Sequence, residues 1–213
     1  MKKEISITMP EGWQDVKLKT YLDLSRDLVN YEDDEEAQVA LMLYHLCGID
    51  GNLLKQLSQQ SFNQLKHELN TFMQPAELPL QRIITINGIE YGFEPNLSRI
   101  SYGAYADISK YDTVQIDDNW AKIMSILYRP VVSRNGETYS IEPYEGVIDE
   151  SKFLNTTMDI HFGALFFFVR LSRDLLNYTL NSTIVMEKYP HFNSILARSG
   201  KHMLPLWNLP TEI

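Results

Sequence analysis

The dipeptide Asn87-Gly88 limits what this chain can fold into more than any other feature. It lies between two short alternating runs, Arg82-Ile83-Ile84-Thr85-Ile86 and Ile89-Glu90-Tyr91-Gly92-Phe93. A two-residue hairpin loop that matches the right-handed twist of its strands needs positive φ at both central residues, and Asn-Gly supplies it. The pattern predicts an antiparallel hairpin with a type I′ turn. A second Asn-Gly, Asn135-Gly136, sits between Val131-Val132-Ser133 and Thr138-Tyr139-Ser140-Ile141 and predicts a second hairpin.

Around these hairpins the apolar period changes from two to between three and four, the signature of helices. Leu18, Tyr21, Leu22, Leu24, Leu28 and Tyr31 repeat at three- and four-residue steps. The acidic run Glu32-Asp33-Asp34-Glu35-Glu36 breaks that pattern, and its carboxylates suit the start of the next helix, Glu35 to Leu46. Gly48 can stop that helix. Gly51 to Leu57 predicts a short turn. A helix over Gln59 to Met73 follows, with Ser58 as its N-cap, and Pro75 and Pro79 end it. After the first hairpin come a helix at Ser101 to Lys110 and another from Asp117 or Asp118 to Tyr128. In the second of these, Trp120, Ile123, Met124 and Leu127 face inward, Asp117 and Asp118 serve the N-terminus, and Pro130 is the stop. Met158 to about Lys188 predicts one long helix, interrupted near Asn181. Glu4 to Met9 alternates as a short strand would.

The expected fold class is therefore α+β and predominantly helical. Residues 1–74 form an N-terminal helical unit. Residues 75–188 form a mixed unit with two hairpins, short helices and the long helix. Residues 189–213, with Pro190, Pro205, Trp207 and Pro210, form an extended C-terminal arm that docks in cis or on a neighbour. One octapeptide nearly recurs: Leu24-Ser25-Arg26-Asp27-Leu28-Val29-Asn30-Tyr31 against Leu171-Ser172-Arg173-Asp174-Leu175-Leu176-Asn177-Tyr178. The flanks do not match, which favours convergence on one amphipathic stripe over duplication, since true repeats recur at a fixed period.

Charge and cysteine content narrow the function classes. The net charge of −9 disfavours phosphate backbones, and no basic patch offsets it. One cysteine, Cys47, forms no intrachain disulfide, and its place at the end of the apolar helix pattern predicts a buried structural thiol. The N-terminus carries two lysines but no apolar run, so no secretory signal is expected. The run Phe162 to Val169 is too short to span a bilayer. Aromatic residues at 11%, including 12 Tyr, fit half-buried contact surfaces as well as an aromatic core.

Chemistry-bearing motifs are missing from the sequence. His45, His67, His161, His191 and His202 make no i+3 or i+4 pairing with another His or with Cys, so no metal is expected. No phosphate loop, nucleophile elbow, dinucleotide fingerprint or zinc-protease helix occurs. The stretch Phe93 to Tyr144 instead carries aromatic and aliphatic anchors on short segments separated by turns. A non-enzymatic, cofactor-free protein that works by fitting against other proteins is the expectation. The alternative of another class is a soluble enzyme or ligand-binding domain with a dispersed site, which a concave site of convergent ionisable groups would mark.

The order of segments resembles a group of small tailed-phage proteins, those of crAss-like and other Bacteroidota phages. Gly12-Trp13-Gln14-Asp15-Val16-Lys17-Leu18 leads into helices, and Ile86-Asn87-Gly88-Ile89-Glu90-Tyr91 forms the hairpin. Leu97-Ser98-Arg99-Ile100-Ser101-Tyr102-Gly103-Ala104-Tyr105-Ala106-Asp107 follows. Next come Lys122 to Leu127 with Tyr128-Arg129-Pro130, and finally Phe162 to Phe168. The resemblance covers roughly residues 13–180. It implies a virion structural protein, a ring or adaptor at the portal–tail junction, assembled in the host cytoplasm as a homo-oligomeric ring. Its partners would be the portal and tail components, with no direct nucleic-acid or membrane contact. A tail-assembly chaperone that leaves before maturation, and a packaged cargo protein, are the alternatives. Because interfaces favour Trp, Tyr and Arg, the expected contact residues are Tyr102, Tyr105, Trp120, Tyr128 and Arg129, with Trp207 and Leu209 on the arm. Core packing is the competing reading for all of them and the better one for Trp120, and for Arg129 an internal pair with a carboxylate such as Asp107 also competes.

Overall fold

The computed structural model describes residues 7–74, 78–111 and 115–181, and these fall into two compact units, 7–74 and 78–181. The architecture is α+β and mostly helical, with a four-stranded antiparallel sheet. No helix among the described residues is long and apolar enough to cross a membrane.

The first unit is all helical. A 3-10 turn at Trp13–Asp15 precedes α1 (Leu18–Leu28), which runs on into a 3-10 turn at Val29–Tyr31; α2 (Glu35–Cys47), α3 (Gly51–Leu54) and α4 (Gln59–Phe72) follow. Local chemistry sets the boundaries. Asp34 Oδ1 accepts from Ala37 N–H at 3.0 Å, and Asp50 Oδ1 accepts from Asn52 and Leu53 N–H at 2.9 and 2.8 Å. Ser58 Oγ accepts from Ser61 N–H at 3.1 Å. Each of these bonds satisfies a backbone donor that the first turn leaves orphaned. Gly48 ends α2 at φ 68°, where a side chain would be strained. Leu18, Leu24, Leu43 and Leu69 are sealed in the core, and the Trp13 ring lies 4.6 Å from Phe72.

In the second unit, β1 (Ile83–Ile86) and β2 (Ile89–Phe93) form the expected hairpin; Asn87 and Gly88 have φ of 52° and 80°, the signs of a type I′ turn. A 3-10 turn at Leu97–Arg99, then α5 (Tyr102–Ile108) and α6 (Trp120–Leu127), lead into β3 (Tyr128–Asn135) and β4 (Thr138–Ile141), followed by α7 (Glu150–Leu154) and α8 (Met158–Asn181). The sheet order is β1-β2-β3-β4. β3 spends Tyr128 to Pro130 on β2 and its remainder on β4, with an irregularity between Val131 and Ser133. The bend brings Tyr139 and Ile141 over Gly92, where a Cβ would collide with both.

One local expectation needs correction, and two gain detail. α6 begins at Trp120 with Asn119 as N-cap, and Asp117 instead closes a preceding turn by accepting from Asn119 N–H at 2.8 Å. The helix does stop ahead of Pro130, at Leu127, and Pro130 itself lies inside β3 opposite Tyr91; proline disfavours helical geometry before it, and the chain enters the strand at Tyr128. The second Asn-Gly also differs from the first. Asn135 is the last paired residue, facing Thr138, and only Gly136 has positive φ, 58°, the pattern of a type II′ turn.

Residues 1–6 lie outside the described residues, and the described end of the expected N-terminal strand, Ile7 to Met9, carries none. The expected helix beyond Asn181 and the arm with Trp207 and Leu209 also lie outside the described residues. α7 was not legible from periodicity.

α6 is buried at every position but Lys122, as its mostly apolar sequence requires. Aromatic rings pack beside it: Phe93 lies 5.2 Å from Tyr128 and 5.5 Å from Phe167. Segment 79–81 lies against α8, where the Pro79 carbonyl fits only because position 163 is glycine. Tyr128 OH donates to Gln81 O at 2.6 Å, and the Gln81 amide donates to Asp159 Oδ2 at 2.6 Å. The shared octapeptide presents different faces in its two places. Leu24 is buried in α1, whereas in α8 Leu171 is half-buried and Ser172 turns inward to donate to Phe168 O at 2.6 Å.

Candidate functional site

A cleft of about 500 Å³ opens on the second unit between the β2–β3 pair, the loop of residues 142–149 and α7. The loop leaves β4 where Glu142 N–H donates to Pro130 O at 2.9 Å, and it reverses at Gly146, whose φ is 81°. Tyr144 fastens it. The Tyr144 hydroxyl donates to Asp107 Oδ2 at 2.5 Å, and the ring lies against Gly103, where a Cβ would sit 3.7 Å away. Loop 142–149 and α5 are thereby joined on one side of the unit. Burial first, and then the bond to Asp107, push the Tyr144 phenol up to about 12, so it keeps the donated proton at neutral pH. The Lys110 ammonium first, and Tyr144 second, hold the Asp107 carboxyl below its usual range.

The cleft floor holds a buried ion pair. Arg129 Nη2 meets Glu94 Oε2 at 2.5 Å with both side chains 11% exposed, and Nη1 donates to Ile126 O at 3.0 Å. Lys152 Nζ pairs with Asp149 Oδ2 at 3.1 Å and lies 5.8 Å over the Tyr91 ring. Bonds from Ser151 and Lys152 lower the Asp149 carboxyl, and Asp149 and Tyr91 raise the Lys152 ammonium. The Ser125 hydroxyl donates to Lys122 O at 2.9 Å.

These groups are ionisable and convergent, yet each is engaged by a neighbour. A nucleophile requires a base within hydrogen-bond reach, and the Ser125 proton goes to a backbone carbonyl. His161, the buried histidine, is fully engaged elsewhere. Trp120 Nε1–H donates to its Nδ1 at 3.1 Å, and its Nε2 lies 2.8 Å from Thr156 Oγ1, whose own proton goes to Phe153 O at 2.7 Å. That chain of bonds requires the Nε2–H tautomer. Burial pushes the imidazole down to about 3, so it stays neutral in the fold. Among the described residues no cluster of three His, Cys, Asp or Glu forms that could hold a metal ion. His45 pairs with Asp27 at 2.8 Å. Cys47 is half-buried with Sγ 3.2 Å from Met9 Sδ, and burial raises its thiol.

Outward the site offers apolar side chains beside the exposed carboxylates Glu142 and Glu145. Tyr102, at the start of α5, is 84% exposed, and Val147 on the fastened loop is 71% exposed beside Ile148. Of the described residues expected to make contacts, Tyr102 is the one that stands in solvent. Tyr105 is half-buried on α5. Trp120 and Tyr128 are corrected: both are sealed in the core, where one indole satisfies His161 and one phenol satisfies Gln81, so neither presents surface to a partner. Arg129 lies under the cleft, and its partner is Glu94 rather than Asp107. Trp207 and Leu209 lie outside the described residues. Sequence reasoning missed Val147, Ile148 and Tyr144. The available signal was an apolar pair following Gly146 in a segment with neither helical nor strand period, where no core can claim it.

Comparison with protein-family models, with curated proteins and with solved structures found no match.

Proposed function

We propose that this chain is a non-enzymatic structural protein of a tailed-phage virion, a ring or adaptor component at the portal–tail junction. It acts through contacts with its own copies and with portal and tail proteins. The observation that carries the contact reading is the fastened loop. A phenol–carboxylate bond and a glycine approach hold residues 142–149 against α5 while Val147 stays 71% exposed. Ordering a loop costs conformational entropy, and the ordered loop holds Val147 and Ile148 out in solvent beside Glu142 and Glu145, a mixed surface that a protein partner can cover. The phage assignment rests on the order of sequence segments from Trp13 to Phe168.

Quantitative mass spectrometry of purified virions tests it. The expected outcome is a fixed ratio to the portal, near one ring's worth per particle. A high and loosely fixed copy number would mean internal cargo. Absence from virions, with abundance in infected cells, would replace the structural reading by the assembly chaperone.

A further inference from the structure

The two Asn-Gly pairs that turn the hairpins are also chemically reactive. In such a pair the backbone nitrogen of the glycine can attack the asparagine side-chain amide, because a residue without Cβ leaves that nitrogen open to approach. Asn87-Gly88 and Asn135-Gly136 are both exposed. The fold treats them differently in two respects.

The first is the position in the turn. A turn closes through the carbonyl of its first residue. In the first hairpin Ile86 is paired with Ile89, so Ile86 holds the first position and Asn87 the second. In the second hairpin Asn135 is itself paired with Thr138 and holds the first position. Its carbonyl faces the returning strand, and Thr138 Oγ1 donates to it at 2.8 Å. Among the described residues no side chain donates in this way to the Asn87 carbonyl. The Asn135 carbonyl belongs to the same peptide group as the attacking nitrogen. When Gly136 N gives up its proton, negative charge spreads onto Asn135 O. A hydrogen bond already in place there becomes a stronger, charge-assisted one, at no cost of reorganisation.

The second is support. The first turn is pinned by strands whose inner side chains are buried, Ile84 and Ile86 on β1 and Tyr91 and Phe93 on β2. In the second hairpin every residue from Val132 to Thr138 is exposed. Polar surface contacts brace that tip: Ser133 Oγ with Ser140 Oγ at 2.6 Å, Arg134 Nε with Gly136 O at 3.3 Å, and Arg134 with Glu90 at 3.0 Å. Exposed contacts of this kind hold weakly. Ring closure must rotate the Asn135–Gly136 peptide, and a tip without buried anchors opens locally at small cost.

We propose that Asn135 is a self-modification site that converts to aspartate and isoaspartate ahead of Asn87. Gly136 N loses its proton to solvent base and bonds to Asn135 Cγ. The Cγ–Nδ2 bond breaks, and the amide nitrogen takes a proton from water and leaves as ammonia. A cyclic imide remains. Water then opens the imide at either carbonyl. Opening at Cγ leaves aspartate, and opening at the former backbone carbonyl leaves isoaspartate, with the chain running through Cγ. No electrons are exchanged, and water is the only co-reactant. Either product adds a negative charge to a chain of net charge −9. Isoaspartate also lengthens the backbone at the residue that pairs with Thr138. Nothing in this step depends on the phage assignment or on the cleft.

The test incubates the full chain at mildly alkaline pH in water enriched in heavy oxygen, and peptide mass spectrometry follows both sites. The water supplies the new oxygen, so label at Asn135 reports this reaction and excludes conversion before the incubation. Labelled aspartate and isoaspartate peptides, separated by chromatography, are expected at Asn135 before Asn87. Equal rates, an earlier signal at Asn87, or no label at Asn135 would overturn the proposal. Thr138→Val keeps a branched side chain in the strand and removes the donor. It should slow the reaction at Asn135 about threefold to tenfold, the rate equivalent of one ordinary hydrogen bond, while Asn87 keeps its rate. Thr138→Ser should restore the native rate. Loosening of the tip would quicken the reaction instead, so an unchanged or faster rate in the valine variant would remove Thr138 from the account.

Discussion

In the first unit the helix-capping hydrogen bonds sit near solvent, and its longer-range side-chain pair, His45 with Asp27, spans 18 residues at a partly buried position. In the second, local caps at Asn96 and Ser101 are joined by long-range side-chain bonds inside the unit. Asp34, Asp50 and Ser58 bond to backbone donors two or three residues away. Trp120 and His161 meet across 41 residues, Tyr128 and Gln81 across 47, and Arg129 and Glu94 across 35. The buried polar side chains among the described residues, Ser125, Thr156, His161 and Ser172, all belong to the second unit. Two folding strategies share one chain. One rests on apolar area and local caps, and its surface still presents an apolar helix face. The other rests on buried polar partners, each of which leaves a costly orphan when its mate is removed.

The ion pair under the cleft gives the largest way to break this comparison. Glu94→Leu leaves the Arg129 guanidinium buried with only a carbonyl for company. Removing one partner of a buried pair costs about 3–5 kcal/mol. The loss should appear in hydrogen exchange as weakened protection of β2, β3 and α6, with amides of α1 to α4 unchanged. Adding Arg129→Met should return most of the stability, because a matched apolar pair avoids the desolvation of two charges. Equal loss of protection in both units would mean that they unfold as one body, and the contrast would fail.

His161 gives the next effect. Its folded pKa of about 3 lies below the ordinary 6.5, so between those values the unfolded chain binds a proton that the folded chain refuses. Stability is therefore full above pH 6.5 and falls as pH drops towards 3, by about 1.4 kcal/mol per pH unit. At pH 5 the second unit should have lost about 2 kcal/mol from this group alone. Denaturation curves across pH 4 to 8 should show that slope in the native chain and its loss in His161→Gln. A slope that survives in the variant would assign the acid sensitivity to carboxylates instead.

The same contrast explains what the sequence could disclose. Both hairpins, the boundaries of α2 and α4, and the Ser58 cap depend on residues within a few positions of each other, and all were legible. The type of Tyr128 suits interfaces as well as cores, and for Trp120 the sequence favours the core, which is where the structure puts both. Nothing local reveals that His161 and Gln81 wait 41 and 47 residues away to receive their protons. Arg129 was matched to Asp107, a nearer carboxylate in sequence than Glu94, but the β2–β3 register places Gly92 opposite Arg129 and brings the next turn of chain beneath it. The pairing of β2 with β3, far apart in sequence, is a tertiary fact. The cleft was illegible for the same reason, since its walls come from β2, β3, a loop and α7.

A cap gives the smallest effect and the most direct check on the first unit. Ser58→Ala removes the oxygen that accepts from Ser61 N–H and should cost about 1 kcal/mol. Ser58→Asp should cost little or nothing, because aspartate accepts the same bond and its charge favours a helix N-terminus. The loss in the alanine variant should be read as a lower denaturation midpoint with an unchanged slope, and as faster exchange in α4 and its neighbours α2 and α3. A stability loss equal to that of alanine would show that the Ser58 hydroxyl acts through its 2.8 Å contact with Ser61 Oγ rather than as a cap, and the local account of the first unit would have to give way there.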